Sequence, residues 1–230
     1  MSKPGDTDDP SSLAALRARL DAVDTGLHRL LRERFEIVEE IGAAKGPIDA
    51  VIRPAREAAV IENRLTLHKG SLPPVMLTHF WRTLISAACM VQRPFTVNAA
   101  GSADVALFLY GPMAVALHES ADQAVKALGE HDVAVVPENT RWWGFAETPA
   151  DEEDRPAAPH LIVRCKTSDG IGALVIGGPG VAKGSGPEAA VLRAGRAAFV
   201  ATGAIGEDDI VLGRYHPFPI EIPVSRVSDE

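Results

Sequence analysis

Positive charge is scarce in this chain. Its 23 lysines and arginines face 31 aspartates and glutamates, for a formal net charge of −8. A nucleic-acid binder would present a basic footprint, so that class is excluded. A local cationic pocket is not, because an acidic protein can hold one. Cysteine is nearly absent: Cys89 and Cys165 lie far apart and make no metal-like pair, which suits a reducing compartment. No run of 18 apolar residues occurs, so no helix reads as membrane-spanning. The opening "MSKPGDTDDPSS" lacks any apolar stretch and reads as a disordered tail over residues 1–12, not as a signal peptide. The expectation is a soluble cytoplasmic protein.

Glycine is scarce in the first part, with five of the 20 before residue 98 and fifteen after it. Residues 13–45 form one periodic run, broken only by Gly26 and Gly42. Its apolar positions are Leu13, Leu16, Leu20, Val23, Leu27, Leu30, Ile37 and Ile41, spaced alternately three and four apart once position 34 is counted between Leu30 and Ile37. Such a helix spans roughly 50 Å and needs a partner to cover its seam. Pro54 opens a second helix that ends near Gly70, and Pro73–Pro74 open a third that Pro94 stops. The apolar face of the third includes Met76, Phe80, Leu84, Ala87 and Val91. Three such helices cannot enclose much core alone, so the pattern predicts an intertwined homodimer.

One seam position is wrong for a seam. Arg34 occupies the place between Leu30 and Ile37 where an aliphatic residue belongs. Lys45 follows about three turns later, within roughly 20° of the same face. Two cations on one buried-looking face repel unless an anion lies between them. Arg17 is roughly 100° around the helix from Arg34 and would serve a partner's pocket in a paired dimer. Arg53, Arg56 and Glu57 begin the second helix, and Gln92 closes the third. Taken singly, each has a plainer reading: a paired seam arginine, a solvated charge or a helix-end residue. Their common register is what argues for a site.

The stretches "LRARLDAVDTGLHRLLRERFEIVEEIGAAKG", "RPAREAAVIENRL" and "FWRTLISAACMVQ" resemble the three helices of the all-helical class of chorismate mutases, over about residues 13–93. The resemblance implies an intertwined dimer of three-helix chains. It implies that Arg17 reaches into the partner's site and grips one substrate carboxylate, and that Arg34 binds the other. Lys45 would contact a carboxylate and the ether oxygen, Arg56 would line the pocket, Glu57 would receive the substrate hydroxyl, and Gln92 would donate to the ether oxygen. The substrate implied is chorismate, a dianion, with no metal or cofactor. Arg53 stands where some members carry an acid, and Ala88 where some carry a small polar residue. The loop before "ARE" is one residue short.

The second part alternates, predicting an α/β domain over residues 97–230 with a mixed or partly parallel sheet beside the helical domain of residues 13–94. Strands are expected at 104–110, 132–136, 160–165, 172–177 and 209–213, and helices at 121–130 and 187–201. "DEEDRPAAP" (151–159) reads as a charged loop. "DVAVVPENTRWWG" resembles a fragment of prephenate dehydratase, but that family's Thr-Arg-Phe triplet is missing, so a degenerate domain that binds a ligand or serves structure is expected. "GGPGVAKGSG" fails the phosphate-loop spacing, and the seven histidines form no helical ligand pair. Two other functions fit the same residues: an isochorismate pyruvate lyase on the helical fold, or a non-enzymatic dimeric ligand sensor.

Overall fold

The computed structural model describes residues 12–46, 49–112, 115–146 and 158–224. The expected tail up to residue 11, and the charged loop up to residue 157, lie outside the described residues. The chain divides into two compact units, residues 1–45 and 46–230.

The first unit is a single helix, α1 (Leu13–Ala44), capped by Ser12, whose hydroxyl accepts the amide N–H of Ala15. It ends at Lys45, whose extended backbone turns the chain out while its N–H still bonds the carbonyls of Ile41 and Gly42. All eight aliphatic seam residues are between 45% and 63% exposed. Within this chain the seam that sequence periodicity marks is therefore open to solvent.

The second unit begins with α2 (Pro54–Leu67) and α3 (Pro74–Gln92), each with proline in its first turn, as read. Strands and helices then follow as β1 (Val97–Ala99), α4 (Ala103–Tyr110), β2 (Val115–Leu117), α5 (Ala121–Lys126), β3 (Val133–Pro137), β4 (His160–Thr167), β5 (Ala173–Gly177), β6 (Glu188–Arg193), β7 (Arg196–Ala201) and β8 (Ile210–Ile222). The sheet order is β2-β1-β3-β5-β4-β8-β6-β7. β1 pairs in parallel with β2 and β3, and β4 with β8, so the expected mixed sheet is present. Strand periodicity sorts the two faces. Val133, Val135, Ala173 and Val175 pack with α2, α3 and α4 residues such as Ile61, Ile85, Cys89 and Leu109. Ala134, Val136, Leu174 and Ile176 pack on the other face with α5 and Trp142. Both cysteines are free and buried, and burial pushes the Cys165 thiol up to about 12. Among the described residues no helix is long and apolar enough to cross a membrane.

Two expectations fail here. Residues 104–110 are not a strand but belong to α4, and residues 187–201 are not a helix but the hairpin β6–β7. "DVALFLY" is an unbroken apolar run, and such a run carries no period to separate a buried strand from a buried helix. Gly111 at φ 68° ends α4. In the hairpin, Ala194 and Gly195 both take positive φ, 48° and 74°, the backbone of a two-residue type I′ turn. "Ala-Gly" is a poorer advertisement for that turn than Asn-Gly.

The far end of the sheet offers a pH test. Arg193 on β6 grips Asp209 with two hydrogen bonds, of 2.8 and 2.6 Å, and Gly206 N–H adds a third at 2.7 Å. The Arg193 guanidinium first, and the Gly206 amide second, lower the Asp209 carboxyl to about 2. A depressed carboxyl contributes stability above its ordinary value and loses it as pH falls toward the folded value. Wild type is therefore expected to exceed Asp209→Asn in urea midpoint at pH 6, with the gap narrowing between pH 4 and pH 3. A gap that stays constant over that range would remove the carboxylate from the account.

Candidate active site

Of the six residues expected to bind substrate, three lie in each unit. Arg17 is exposed on the first turns of α1, while Arg34 is half-buried with its guanidinium 5.6 Å from the centre of the Phe35 ring. Lys45, also half-buried, caps the C-terminus of α1 through its backbone. Eleven residues of helix separate Arg34 from Lys45 by about 16 Å along the axis and bring them to the same side.

In the second unit, Arg56 is exposed and Glu57, its neighbour, is buried. A buried carboxylate needs partners, and Glu57 has two. Oε1 accepts the N–H of Arg53 at 3.1 Å, closing the start of α2 as the acid of a capping box does. Oε2 accepts Nη1 of Arg82 at 2.7 Å. The two side chains keep only 10% and 5% of their surface exposed. Arg82 is held from behind as well. Its Nε donates to the carbonyl of Leu109 at 3.1 Å and its guanidinium lies 5.5 Å from the centre of the Tyr110 ring. Burial alone would lower the basicity of Arg82; the Glu57 carboxylate more than offsets this and raises it above the ordinary arginine value. His79 Nδ1 donates to the Phe108 carbonyl at 2.9 Å, so two side chains of α3 satisfy the last turn of α4.

Gln92 is half-buried at the end of α3, and its Nε2 donates to the carbonyl of Ala88, one turn back, at 3.0 Å. Ala88 itself is buried and Arg53 exposed. The face of α3 read as apolar is largely outside: Met76, Phe80 and Val91 are each about half exposed. The polar stripe opposite it, Thr78, Arg82 and Ser86, is inside. This inversion is why Arg82 escaped the sequence reading. A polar residue every fourth position ordinarily marks the solvent side.

The "PEN" segment leads out of β3. Glu138 forms two hydrogen bonds to Arg164 on β4, of 2.8 and 2.7 Å, and Arg164 lies 4.1 Å over the ring of Phe199. Asn139 lines a cleft of about 470 Å³ beyond the carboxyl ends of β1, β2 and β3, together with Ser102, Asp104, His118 and Asp169. Trp142 is buried.

Comparison with known proteins bears on the helices. Residues 16–93 match the family described as Chorismate mutase type II. Three curated relatives are each called "Bifunctional chorismate mutase/prephenate dehydratase". The one from Neisseria gonorrhoeae is 38% identical over 85 residues, which is 37% of this chain and 23% of the relative. That from Aquifex aeolicus is 33% identical over 94 residues, 39% of this chain and 26% of the relative. That from Pseudomonas aeruginosa is 29% identical over 99 residues, 40% and 27% of the two chains. The matched stretch is thus about a quarter of each relative's length. No solved structure matches. All six expected substrate-binding residues, from Arg17 to Gln92, fall inside the matched segment, so the likeness to the chorismate mutase type II family is confined to the three N-terminal helices of this chain.

Proposed function

We propose that the protein is a chorismate mutase acting in the cytoplasm in aromatic amino acid biosynthesis, with its sites built across a homodimer. The observation that carries this reading is the family match over residues 16–93, which contains every cationic and hydrogen-bonding residue of the constellation. The exposed seam of α1 and the exposed apolar face of α3 support the dimer. In each unit by itself a row of half-exposed apolar side chains is left uncovered, the α1 seam in one and Met76, Phe80 and Val91 of α3 in the other.

The chemistry asks little beyond grip and charge. Chorismate rearranges to prephenate in one pericyclic step, breaking a C–O bond as a C–C bond forms, with no nucleophile. The protein must fold the enolpyruvyl arm over the ring, a positioning effect. It must also stabilise negative charge growing on the ether oxygen, which preorganised donors do. Arg34 and the partner subunit's Arg17 take the two carboxylates, whose planar geometry fits the arginine fork. Lys45 and Gln92 donate to the ether oxygen, Arg56 lines the pocket, and Glu57 receives the ring hydroxyl. Glu57 uses one lone pair on each oxygen for Arg53 and Arg82, and a carboxylate offers about four. On this reading residues 13–94 are the catalytic module, and residues 97–230 are a non-catalytic module that binds a ligand or stabilises the assembly.

The direct test is the purified protein mixed with chorismate, with products followed by NMR. Prephenate well above the uncatalysed rate is expected, with no phenylpyruvate after it. Unchanged chorismate would overturn the mutase and make isochorismate the next substrate to offer.

A further inference from the structure

The pair formed by Glu57 and Arg82 joins three helices that sequence assigns to two different domains. Glu57 lies on α2 and Arg82 on α3, but Arg82 is fixed by the Leu109 carbonyl and the Tyr110 ring, both at the end of α4. α4 follows β1 of the sheet, and four of its residues are buried. A guanidinium at the C-terminal end of a helix meets unsatisfied carbonyls and the negative end of the helix dipole. It is therefore held there independently of Glu57. The carboxylate is seated on a cation that the α/β unit has already placed.

We propose that Arg82 is a positioning residue of the mutase site: anchored on α4, it keeps the Glu57 carboxylate pointed in one direction. This rests on the mutase reading of Glu57. It also gives the α/β unit a role in the reaction: α4 is part of the seat of the acid. Three observations favour it over a purely structural pair. A buried ion pair is poor value for stability alone, since apolar residues of similar volume serve at least as well. The pair is not isolated, because Glu57 also closes the first turn of α2, so its direction is set from two sides. The titratable groups that face Arg82 are Tyr110 on α4 and the buried thiols of Cys89 and Cys165, with His216 lining the same small cavity from β8, and none of these is a second carboxylate.

The test is a kinetic cycle on the full-length protein with chorismate as substrate. Arg82→Gln is expected to lower kcat/KM by about 10²-fold, the order that misplacing a catalytic group by an ångström costs. Arg82→Lys keeps the charge and one donor, and is expected to recover to within about tenfold of wild type, since a lysine lacks the second arm of the fork. The decisive arm is Arg82→Gln in a Glu57→Gln background. There the amide pair leaves no stranded charge, which keeps the test readable if Arg82→Gln alone is destabilised. If Arg82 acts through Glu57, the second substitution adds less than about threefold to the loss already caused by the first. Equal losses in both backgrounds overturn the proposal, as does a lysine variant no better than glutamine. Wild type that makes no prephenate overturns the mutase reading and this one with it. An active wild type with an additive cycle overturns this one alone.

Discussion

Lys45→Ala is expected to reduce kcat by about 10²- to 10³-fold, or roughly 2.7–4 kcal/mol of transition-state stabilisation, the loss seen when one preorganised donor to a developing oxyanion is removed. Dimer mass and helix content should be unchanged. The structure gives a reason to expect so clean a separation. Lys45 ends α1 through its backbone, with φ −81° and ψ 144° and its N–H bonded to Ile41 and Gly42. Alanine adopts that extended backbone without strain. The substitution therefore removes the ammonium and leaves the helix end as it was. Size-exclusion chromatography with light scattering, run beside the chorismate assay, reads the two effects apart. Wild-type turnover in Lys45→Ala would remove the lysine from the site. Loss of the dimer along with activity would show that it serves assembly.

The helical half was legible because its punctuation is strict. Pro54, Pro74 and Pro94 fall at two helix starts and just past one helix end, and the three-four seam of α1 runs its full length. The sheet half was legible where strands alternate between two packed faces, as in β3 and β5. It was misread where an apolar run has no polar break: α4 packs on α3 and the sheet, yet its outward position 107 is also a leucine, 46% exposed, so periodicity has nothing to report. The hairpin β6–β7 was misread for a different reason. Its alanines suit a helix by propensity, and only the positive φ of Ala194 and Gly195, a backbone property, marks the turn.

The site divides along the same line. Arg34 announces itself by breaking an apolar pattern, and Lys45 by falling on the same face about three turns later. Glu57 is visible only through its resemblance to a family motif. Arg82 is invisible to either argument, because its neighbours Thr78 and Ser86 make it part of an ordinary-looking polar stripe. Arg82 in that stripe is covered by Glu57 of α2 and by the end of α4, which comes after β1 in the chain. A partner that lies 27 residues further along the chain cannot be found by spacing within one helix.

The open seam of α1 bears on assembly, through a second large effect. Replacing both Leu20 and Leu27 by glutamate is expected to leave a folded monomer with little mutase activity. The two leucines are 59% and 50% exposed in the single chain, so about half of each side chain remains to be covered by a partner. Full burial of a leucine contributes about 1.5–3 kcal/mol, so half contributes about 0.8–1.5 kcal/mol. A two-fold dimer repeats each contact, which makes four positions and roughly 3–6 kcal/mol lost before the carboxylates' own desolvation. That weakens dimerisation by about 10²- to 10⁴-fold. Activity should fall with it, because Arg17 would no longer meet the site it completes. Light scattering across a concentration series, with the chorismate assay at each concentration, checks both. Activity that returns as the dimer reforms at high concentration is the expected signature of a shared site. A fully active monomer would place Arg17 outside the mechanism and every catalytic group within one chain.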